Sequence, residues 1–253
     1  MSHARFPVLT TRISAINLCD AVFLIDRWIA QHEQRYVNVC TTHTVLECYD
    51  SPQLTDVINN SGLATPDGMP LVWLGKLYRQ SIGRVYGPDL MLALCEKGQD
   101  VPYRHFFYGG APGVPDTLAS SLHMRFPRLQ IAGAYSPPFR ALTGDEEQDI
   151  AAMINASKPD IVWVGLGTPK QDYWVARFRA LLKAPVLIAV GAAFDFHSGR
   201  VRQAPRWMQR SGLEWLFRLS QDPRRLWKRY ILGNPRFVYL VLKQFITRQG
   251  SVA

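Results

Sequence analysis

Short apolar runs alternate with longer amphipathic stretches along the first four-fifths of this chain. Six runs are predicted as strands. Several are apolar throughout rather than alternating, which is typical of parallel strands covered on both faces. The predicted strands are residues 36–42, a short one near Leu63, and residues 104–108, 129–135, 160–165 and 185–190.

Helical periodicity fills the segments between these strands. Pro or Asp at first-turn positions marks several starts, as in Gly87-Pro88-Asp89. The predicted helices are residues 17–31, 69–79, 88–97, 112–126, 144–157 and 169–183. This alternation predicts an α/β fold with a mostly parallel, Rossmann-like sheet flanked by helices.

Beyond Ala204 the pattern becomes helical only. A proline disfavours helix in the residue before it and opens the next helix, so breaks are predicted at Asp222-Pro223 and Asn234-Pro235. Three short helices are expected. We therefore predict an α/β catalytic domain at 1–203 and a helical appendage at 204–253.

The positive charge of the chain is concentrated in this appendage. Residues 200–253 hold twelve Lys and Arg residues against two acids, and the whole chain has a net charge of +9, so the remainder is nearly neutral. Aromatic residues are interleaved with these cations. The pattern is compatible with an anionic membrane surface, with single-stranded nucleic acid, or with a solvated helical face packed on the body by its rings.

Length and composition allow a large core and either one domain or a domain with an appendage. No signal-peptide pattern is present at the start, and the longest apolar run, 184–194, is too short to span a bilayer. Any membrane contact is therefore expected at the surface. The four cysteines show no CxxC pairing, which favours reduced, buried thiols in a cytoplasmic protein.

Ligands of open parallel sheets bind beyond the carboxyl ends of the strands, and five loops there carry suitable residues. Glycines let backbone amides approach a phosphate, and helix starts favour negative charge. The loops are Thr41-Thr42-His43-Thr44, Thr65-Pro66-Asp67-Gly68, Gly109-Gly110-Ala111-Pro112-Gly113, Gly165-Leu166-Gly167-Thr168-Pro169-Lys170-Gln171-Asp172 and Gly191-Ala192-Ala193-Phe194-Asp195-Phe196.

The chemistry of these loops excludes several classes. Lys170 stands where a dinucleotide fingerprint needs its third glycine, and no Walker A loop occurs, which disfavours a nicotinamide dehydrogenase. Asp67 is compatible with a turn residue or a catalytic carboxylate. Asp195, between two Phe residues, needs a partner such as a nucleobase N–H.

The sequence predicts no metal and no other cofactor. His43 and His197 lack metal-ligand spacing. No Asp-x-Asp pair is present to hold a divalent ion on a nucleotide-sugar diphosphate. Arginines of the basic appendage could neutralise such a diphosphate instead, because a guanidinium binds phosphate in a bidentate manner.

Six motifs that follow one another along the chain resemble the WecG/TagA/CpsF family of bacterial glycosyltransferases (family 26). The resemblance as a whole runs from about residue 36 to about residue 239, some four-fifths of the chain. The motifs are Thr65-Pro-Asp-Gly-Met-Pro, Arg84-Val-Tyr-Gly-Pro-Asp, Tyr108-Gly-Gly-Ala-Pro-Gly, Gly165-Leu-Gly-Thr-Pro-Lys-Gln-Asp with Trp174, Gly191-Ala-Ala-Phe-Asp-Phe, and Arg200-Val-Arg-Gln-Ala-Pro-Arg-Trp-Met-Gln-Arg-Ser-Gly-Leu-Glu-Trp.

The resemblance implies an inverting, metal-independent transferase that moves a sugar from a UDP-sugar to a polyprenyl-diphosphate-linked saccharide. The enzyme would be peripheral on the anionic cytoplasmic face of the inner membrane and would serve exopolysaccharide or cell-surface polysaccharide synthesis. Family donors include glucose, N-acetylmannosamine and its uronic acid. Oligomeric state is left open, a homo-oligomer included.

The same resemblance assigns roles to individual residues. Asp67 corresponds to the proposed general base, and Thr41 supports the reacting centre. The remaining expected positions contact the nucleotide sugar, the arginines closing over it from the appendage. They are His43, Gly87, Gly109, Gly110, Gly167, Gln171, Asp195, Arg210, Arg218 and Arg225.

Two departures from the family pattern are visible. His43 replaces a frequent Asn, which leaves the donor open, and Asp172 replaces Glu, which keeps the charge. Two other classes remain as alternatives. One is a non-catalytic membrane-surface scaffold of a polysaccharide assembly complex, and the other is a nucleic-acid-binding protein. Intact Thr41, Asp67, Gln171 and Asp195 count against a degenerate pocket.

Overall fold

The computed structural model of the protein describes residues 3–249, of which residues 248 and 249 are described by their backbone only. Residues 250–253 of the predicted appendage lie outside the described part. The strands are β1 Arg5–Val8, β2 Thr11–Ser14, β3 Arg35–Cys40, β4 Leu63–Pro66, β5 Arg104–Gly109, β6 Gln130–Tyr135, β7 Ile161–Gly165 and β8 Val186–Ala189.

Helices fill most of the remaining described chain. They are α1 Leu18–Ala30, α2 Thr42–Asp50, α3 Pro52–Asn59, α4 Met69–Leu77, α5 Gly87–Lys97, α6 Val114–Arg125, α7 Gly144–Ala156, α8 Lys170–Phe178, α9 Ala193–His197, α10 Arg206–Arg210, α11 Glu214–Gln221, α12 Pro223–Trp227, a π-helical segment Lys228–Leu232, and α13 Gly233–Gln249.

Six of the strands form one parallel sheet in the order β4-β3-β8-β7-β5-β6. These are the six strands predicted from the apolar runs, so the predicted α/β fold class is confirmed. The chain leaves β4 at one edge and returns on the other side of β8, which places a topological switch point in the middle of the sheet.

Both faces of this sheet are covered. In β7, Ile161 and Trp163 join the core packed against α1, α5 and α6, whereas Val162 and Val164 join the core packed against α7 and α8. Alternate residues of each strand thus enter different apolar layers. This arrangement explains why the predicted strands are apolar throughout.

A third core cluster joins the two ends of the chain. The β1–β2 hairpin contributes Phe6 and Val8, and α13 contributes Phe237, Leu240 and Val241. The hairpin and helices α2, α3 and α9 were not predicted. The strand predicted to reach residue 42 ends at Cys40 because Thr41 caps α2, its Oγ1 accepting a hydrogen bond from the Thr44 N–H.

One predicted helix break is confirmed and the other is wrong. Asp222 ends α11 and its side chain caps α12. The chain remains helical through Asn234-Pro235, after the π-helical segment Lys228–Leu232. A proline there cannot donate to the carbonyl four residues earlier, and a wider π turn accommodates this without ending the helix. The boundary at 203/204 remains a prediction.

Three of the four cysteines are buried, as expected. They are Cys40, Cys48 and Cys95, whereas Cys19 is exposed because it lies outside the buried stripe of α1.

Within residues 3–249, no helix combines the length and the apolarity that crossing a membrane requires.

A close backbone contact between two glycines joins the end of β5 to the end of β7, its neighbour in the sheet. Gly109 has φ +122°, and a Cβ built on it would lie 2.7 Å from the carbonyl carbon of Gly165. We expect Gly109→Ala to lower the free energy of unfolding by at least about 2 kcal/mol, through backbone strain and overpacking. Urea unfolding measures this.

Gly144→Ala is the matched control, because nothing lies within 4 Å of its added Cβ. Its stability should stay within about 0.5 kcal/mol of the wild type. Equal stability of Gly109→Ala and the wild type would contradict the proposed strain.

Candidate active site

The loops after β3 and β4 place two candidate catalytic residues side by side. Because these strands are parallel neighbours, Thr41 and Asp67 leave the sheet at the same edge. The Asp67 N–H donates to the Cys40 carbonyl at 2.9 Å, which fastens one loop to the other. Both residues line a cavity of about 210 Å³.

The walls of this cavity come from the switch-point loops and from the appendage. The appendage contributes three arginines, two of which were predicted. The residues lining the cavity include Thr41, Asp67, Tyr86, Gly165, Gly167, Thr168, Gln171, Gly191, Asp195, Phe196, Arg218, Arg225 and Arg229. Segments separated by more than a hundred residues thus meet in one space.

Arg84 holds Asp67 through both its side chain and its backbone. Its Nη2 donates to Asp67 Oδ1 at 3.0 Å, and its Nε donates to the Asp67 carbonyl at 2.5 Å. The guanidinium lies over the Tyr86 ring, 4.1 Å from the centroid. These contacts fix the Asp67 carboxylate at the cavity wall.

Burial gives this carboxylate an unusual proton affinity. Desolvation raises the pKa of Asp67 to about 6, against the opposing attraction of Arg84. A carboxylate with that pKa is mostly ionised at neutral pH yet binds a proton more readily than an exposed one. This is the behaviour required of a general base.

The appendage also contributes an acid to this network. Glu214 Oε2 accepts a hydrogen bond from Arg84 Nη2 at 2.6 Å, and Oε1 accepts one from the Tyr86 hydroxyl at 3.0 Å. Arg84 Nη1 additionally donates to the Gln209 carbonyl at 3.2 Å. Arg84 therefore joins Asp67 to two points of the appendage.

Arg229 enters the cavity from the π-helical segment. Its Nη2 lies 3.4 Å from Thr41 Oγ1, and its buried Nε lacks a hydrogen-bond partner within residues 3–249. Burial lowers the pKa of Arg229. A buried guanidinium with unused donors and no paired carboxylate is suited to an anionic ligand.

Two predicted nucleotide contacts lie on the opposite side of the cavity. Gln171 is buried, and its Oε1 accepts a hydrogen bond from the Gly167 N–H at 3.0 Å, so it also fastens the β7 loop. The side chain of Asp195 has no hydrogen bond or ion pair to other described residues. Its carboxylate is therefore available to a ligand.

His43 lies outside this cavity, on an adjoining groove of about 450 Å³ between α2 and the appendage. Desolvation, with a smaller effect of Arg229, lowers the pKa of His43 to about 4. Its 3.6 Å approach to Glu47 is therefore a contact of a neutral ring rather than an ion pair. Arg225 and Arg229 line both spaces.

Besides His43, four predicted site residues do not line the cavity. Gly87 packs beneath it against Val39 and the Val190 carbonyl, between two residues that do line it. Gly109 and Gly110 bind the backbone of Gly165 instead, the Gly110 N–H donating to its carbonyl at 2.9 Å. Arg210 is exposed at the end of α10.

Four further residues of the site escaped the sequence reasoning: Arg84, Tyr86, Glu214 and Arg229. The first three belong to the motifs Arg84-Val-Tyr and Leu-Glu-Trp, which indicated a resemblance but no chemistry. Arg229 is one of many cations in the appendage and carried no distinguishing signal. No group of three or more His, Cys, Asp and Glu able to hold a metal ion occurs in the described part of the chain.

Fold and site together define an α/β enzyme that places a buried carboxylate opposite a cluster of arginines at the switch point of a parallel sheet. Residues 6–251 match the sequence model of the glycosyl transferase WecG/TagA/CpsF family. The chain belongs to that family and is a glycosyltransferase.

Two relatives make the comparison more specific. The N-acetylglucosaminyldiphosphoundecaprenol N-acetyl-beta-D-mannosaminyltransferase of Bacillus spizizenii is 32% identical over 217 residues, covering 85% of this chain and 82% of the relative. The protein of the same name from Bacillus subtilis is 34% identical over 190 residues, covering 75% of this chain and 72% of the relative.

Proposed function

We propose that the protein transfers N-acetylmannosamine from a UDP-sugar to a polyprenyl-diphosphate-linked N-acetylglucosamine, with inversion at the anomeric carbon and Asp67 as the base. The names of both relatives support the transferred sugar, its beta linkage and the acceptor. The observation that carries the proposal is the buried Asp67 beside three appendage arginines in one cavity.

Asp67 would remove the proton of the acceptor hydroxyl during a single in-line displacement. Its pKa of about 6 leaves it ionised at neutral pH while keeping appreciable basicity. Arg84 orients the carboxylate through Nη2. Thr41 lies at the adjacent loop, where its hydroxyl can support the reacting groups.

The departing UDP carries the developing negative charge. Arg218, Arg225 and Arg229 line the same cavity and would stabilise that charge without a divalent ion. Arg229 contributes most in this proposal because it is buried and its Nε is unpartnered. On the opposite side of the cavity, the Asp195 carboxylate would accept a hydrogen bond from the N–H of the uracil base.

The adjoining groove would take the acceptor. His43 on its wall, with a pKa of about 4, would offer a hydrogen bond from a neutral ring. Lys228 on the same wall would meet the acceptor diphosphate, whereas Arg236 there is paired with Asp50.

The acceptor lipid requires access to a membrane, and the last helices present two apolar faces. One face is buried in the core through Leu226, Tyr230, Phe237 and Leu240. The opposite face is exposed and runs along the helix at Trp227, Ile231, Val238, Leu242 and Ile246. We propose that this exposed face, with the neighbouring cations, binds an anionic membrane surface.

The donor proposal is tested by incubating the purified chain with UDP-N-acetylmannosamine, its uronic acid or UDP-glucose, and a short-chain polyprenyl-diphosphate N-acetylglucosamine, in excess EDTA. We expect transfer from the first donor, and kcat/KM should fall as the pH drops below about 6, where Asp67 becomes protonated.

Asp67→Asn should reduce kcat roughly 100-fold or more while UDP still binds. Proton NMR of the product should show a beta linkage.

Asp56→Asn, an exposed carboxylate on α3, is the control and should retain activity. Transfer from UDP-glucose alone would reject the donor assignment, and a strict requirement for magnesium would reject charge compensation by arginine. Near-normal turnover of Asp67→Asn would leave Asp67 with a structural role only.

Arg229 is tested by UDP binding in solution. Arg229→Gln should raise the Kd for UDP by roughly 10- to 100-fold, the cost of losing a charge-assisted hydrogen bond to phosphate. Arg224→Gln removes an equal charge from an exposed position that lines neither space, and should change Kd by less than about twofold. Equal losses in calorimetric titrations of both variants would indicate a general charge effect.

Membrane binding is tested by co-sedimentation with phosphatidylglycerol vesicles. The double variant Ile231→Ser and Leu242→Ser should weaken partitioning about tenfold or more, because two exposed apolar side chains no longer enter the interface. Phe139→Ser, at a fully exposed position on the catalytic part, should leave partitioning unchanged. Unchanged binding of the double variant would place the contact on another surface.

A further inference from the structure

Glu214 occupies an unexpected position for one of two acids in a strongly basic segment. It lies in the first turn of α11, and only 13% of its side chain is exposed. Both carboxylate oxygens accept hydrogen bonds from the catalytic part, from Arg84 and from Tyr86. The other acid, Asp222, pairs with Arg225 within the appendage.

Glu214 and Asp67 share one donor atom. Arg84 Nη2 is 2.6 Å from Glu214 Oε2 and 3.0 Å from Asp67 Oδ1. A single guanidinium charge therefore serves two largely buried carboxylates. Each carboxylate weakens the hold of Arg84 on the other, since the attraction is divided and the two negative charges repel each other.

We propose that Glu214 is a positioning residue that competes with Asp67 for Arg84, so that docking of the appendage sets how firmly Arg84 holds the base. The inference rests on the proposed role of Asp67 as base. With the appendage in place, Arg84 orients Asp67 but is partly neutralised by Glu214. Without Glu214, Asp67 receives the whole charge of Arg84 and becomes a weaker base.

The direction of the effect follows from the groups around Asp67. Burial raises the pKa of Asp67 most, Glu214 raises it further, and Arg84 and Arg218 lower it. The ionisable or charged groups facing Asp67 are Arg84, Tyr86, Glu214, Arg218, Arg229 and Cys40. Removing the Glu214 charge must therefore lower the pKa of Asp67 and ionise it at more acidic pH.

Glu214→Gln tests this with little change of shape, since the glutamine oxygen still accepts from Arg84 while its amide N–H can donate to the Tyr86 hydroxyl oxygen. The protonation midpoint of Asp67 is read by carbon-13 NMR of labelled aspartate carboxyls, assigned with Asp67→Asn. We expect the midpoint to fall by on the order of one pH unit. Asp145→Asn, an equal charge loss at an exposed position on α7, should leave the midpoint unchanged.

The midpoint is measured without turnover, so it tests the coupling even if no UDP-sugar is a donor. Where transfer occurs, the acid limb of kcat/KM in Glu214→Gln should move to lower pH by the same amount. An unmoved NMR midpoint overturns the proposal. Failure of transfer with a shifted midpoint overturns the proposed function alone.

The rate of tryptic cleavage within the appendage measures how firmly the appendage is docked on the rest of the protein. If Glu214→Gln speeds cleavage, it is compared with Arg206→Ala, a variant that weakens docking in another way. Arg206→Ala removes the exposed ion pair to Asp89 and keeps Glu214. At matched cleavage rates, a larger midpoint fall in Glu214→Gln supports the proposal. Equal midpoints in the two variants would show that Glu214 acts only as an anchor.

Discussion

Parallel pairing of β3 with β8 joins the two halves of the sheet, and the site depends on it. The pairing runs from Arg35 opposite Val186 to Asn38 opposite Ala189. It brings the β3 and β4 loops, with Thr41 and Asp67, against the β7 and β8 loops, with Gln171 and Asp195. Beneath them, buried Asn38 donates to Asp172 at 2.8 Å and ties β3 to α8. The cavity therefore has a rigid floor and one open side.

The appendage closes that open side, and it is more than a basic attachment. Its cations face the cavity through Arg218, Arg225 and Arg229, while Glu214 reaches Asp67 through Arg84. Phe237, Leu240 and Val241 meanwhile share a core with the β1–β2 hairpin. The cavity wall, the charges around Asp67 and core packing thus all depend on one helical segment.

The sequence predicted the sheet well because parallel strands covered on both faces leave an unbroken apolar run. All six strands of the sheet were found in this way. The hairpin was missed because its strands have four residues each and include Pro7. The π-helical segment was missed because a proline usually marks a break, whereas here the preceding turn widens.

Several residues predicted from strand ends line the cavity, whereas residues that only tertiary contact brings there were missed. Asp67, Gln171 and Asp195 were placed by the strand-end rule together with the family motifs. Gly109 and Gly110 looked like phosphate-binding glycines, but their freedom is used for backbone contact with Gly165. Arg84 and Glu214 acquire chemistry only from each other, at a separation of 130 residues that no local pattern reports.

The two-faced terminal helix has a geometrical consequence. Since its inner face is part of the protein core, α13 cannot sink into a bilayer beyond the length of its outer side chains without unfolding that core. In the proposed membrane-bound state, the fold rather than the lipid would therefore fix the depth of attachment. The cavity would then lie at a constant height above the headgroups, and the diphosphate of a lipid-linked acceptor would have to extend from the membrane to the cavity.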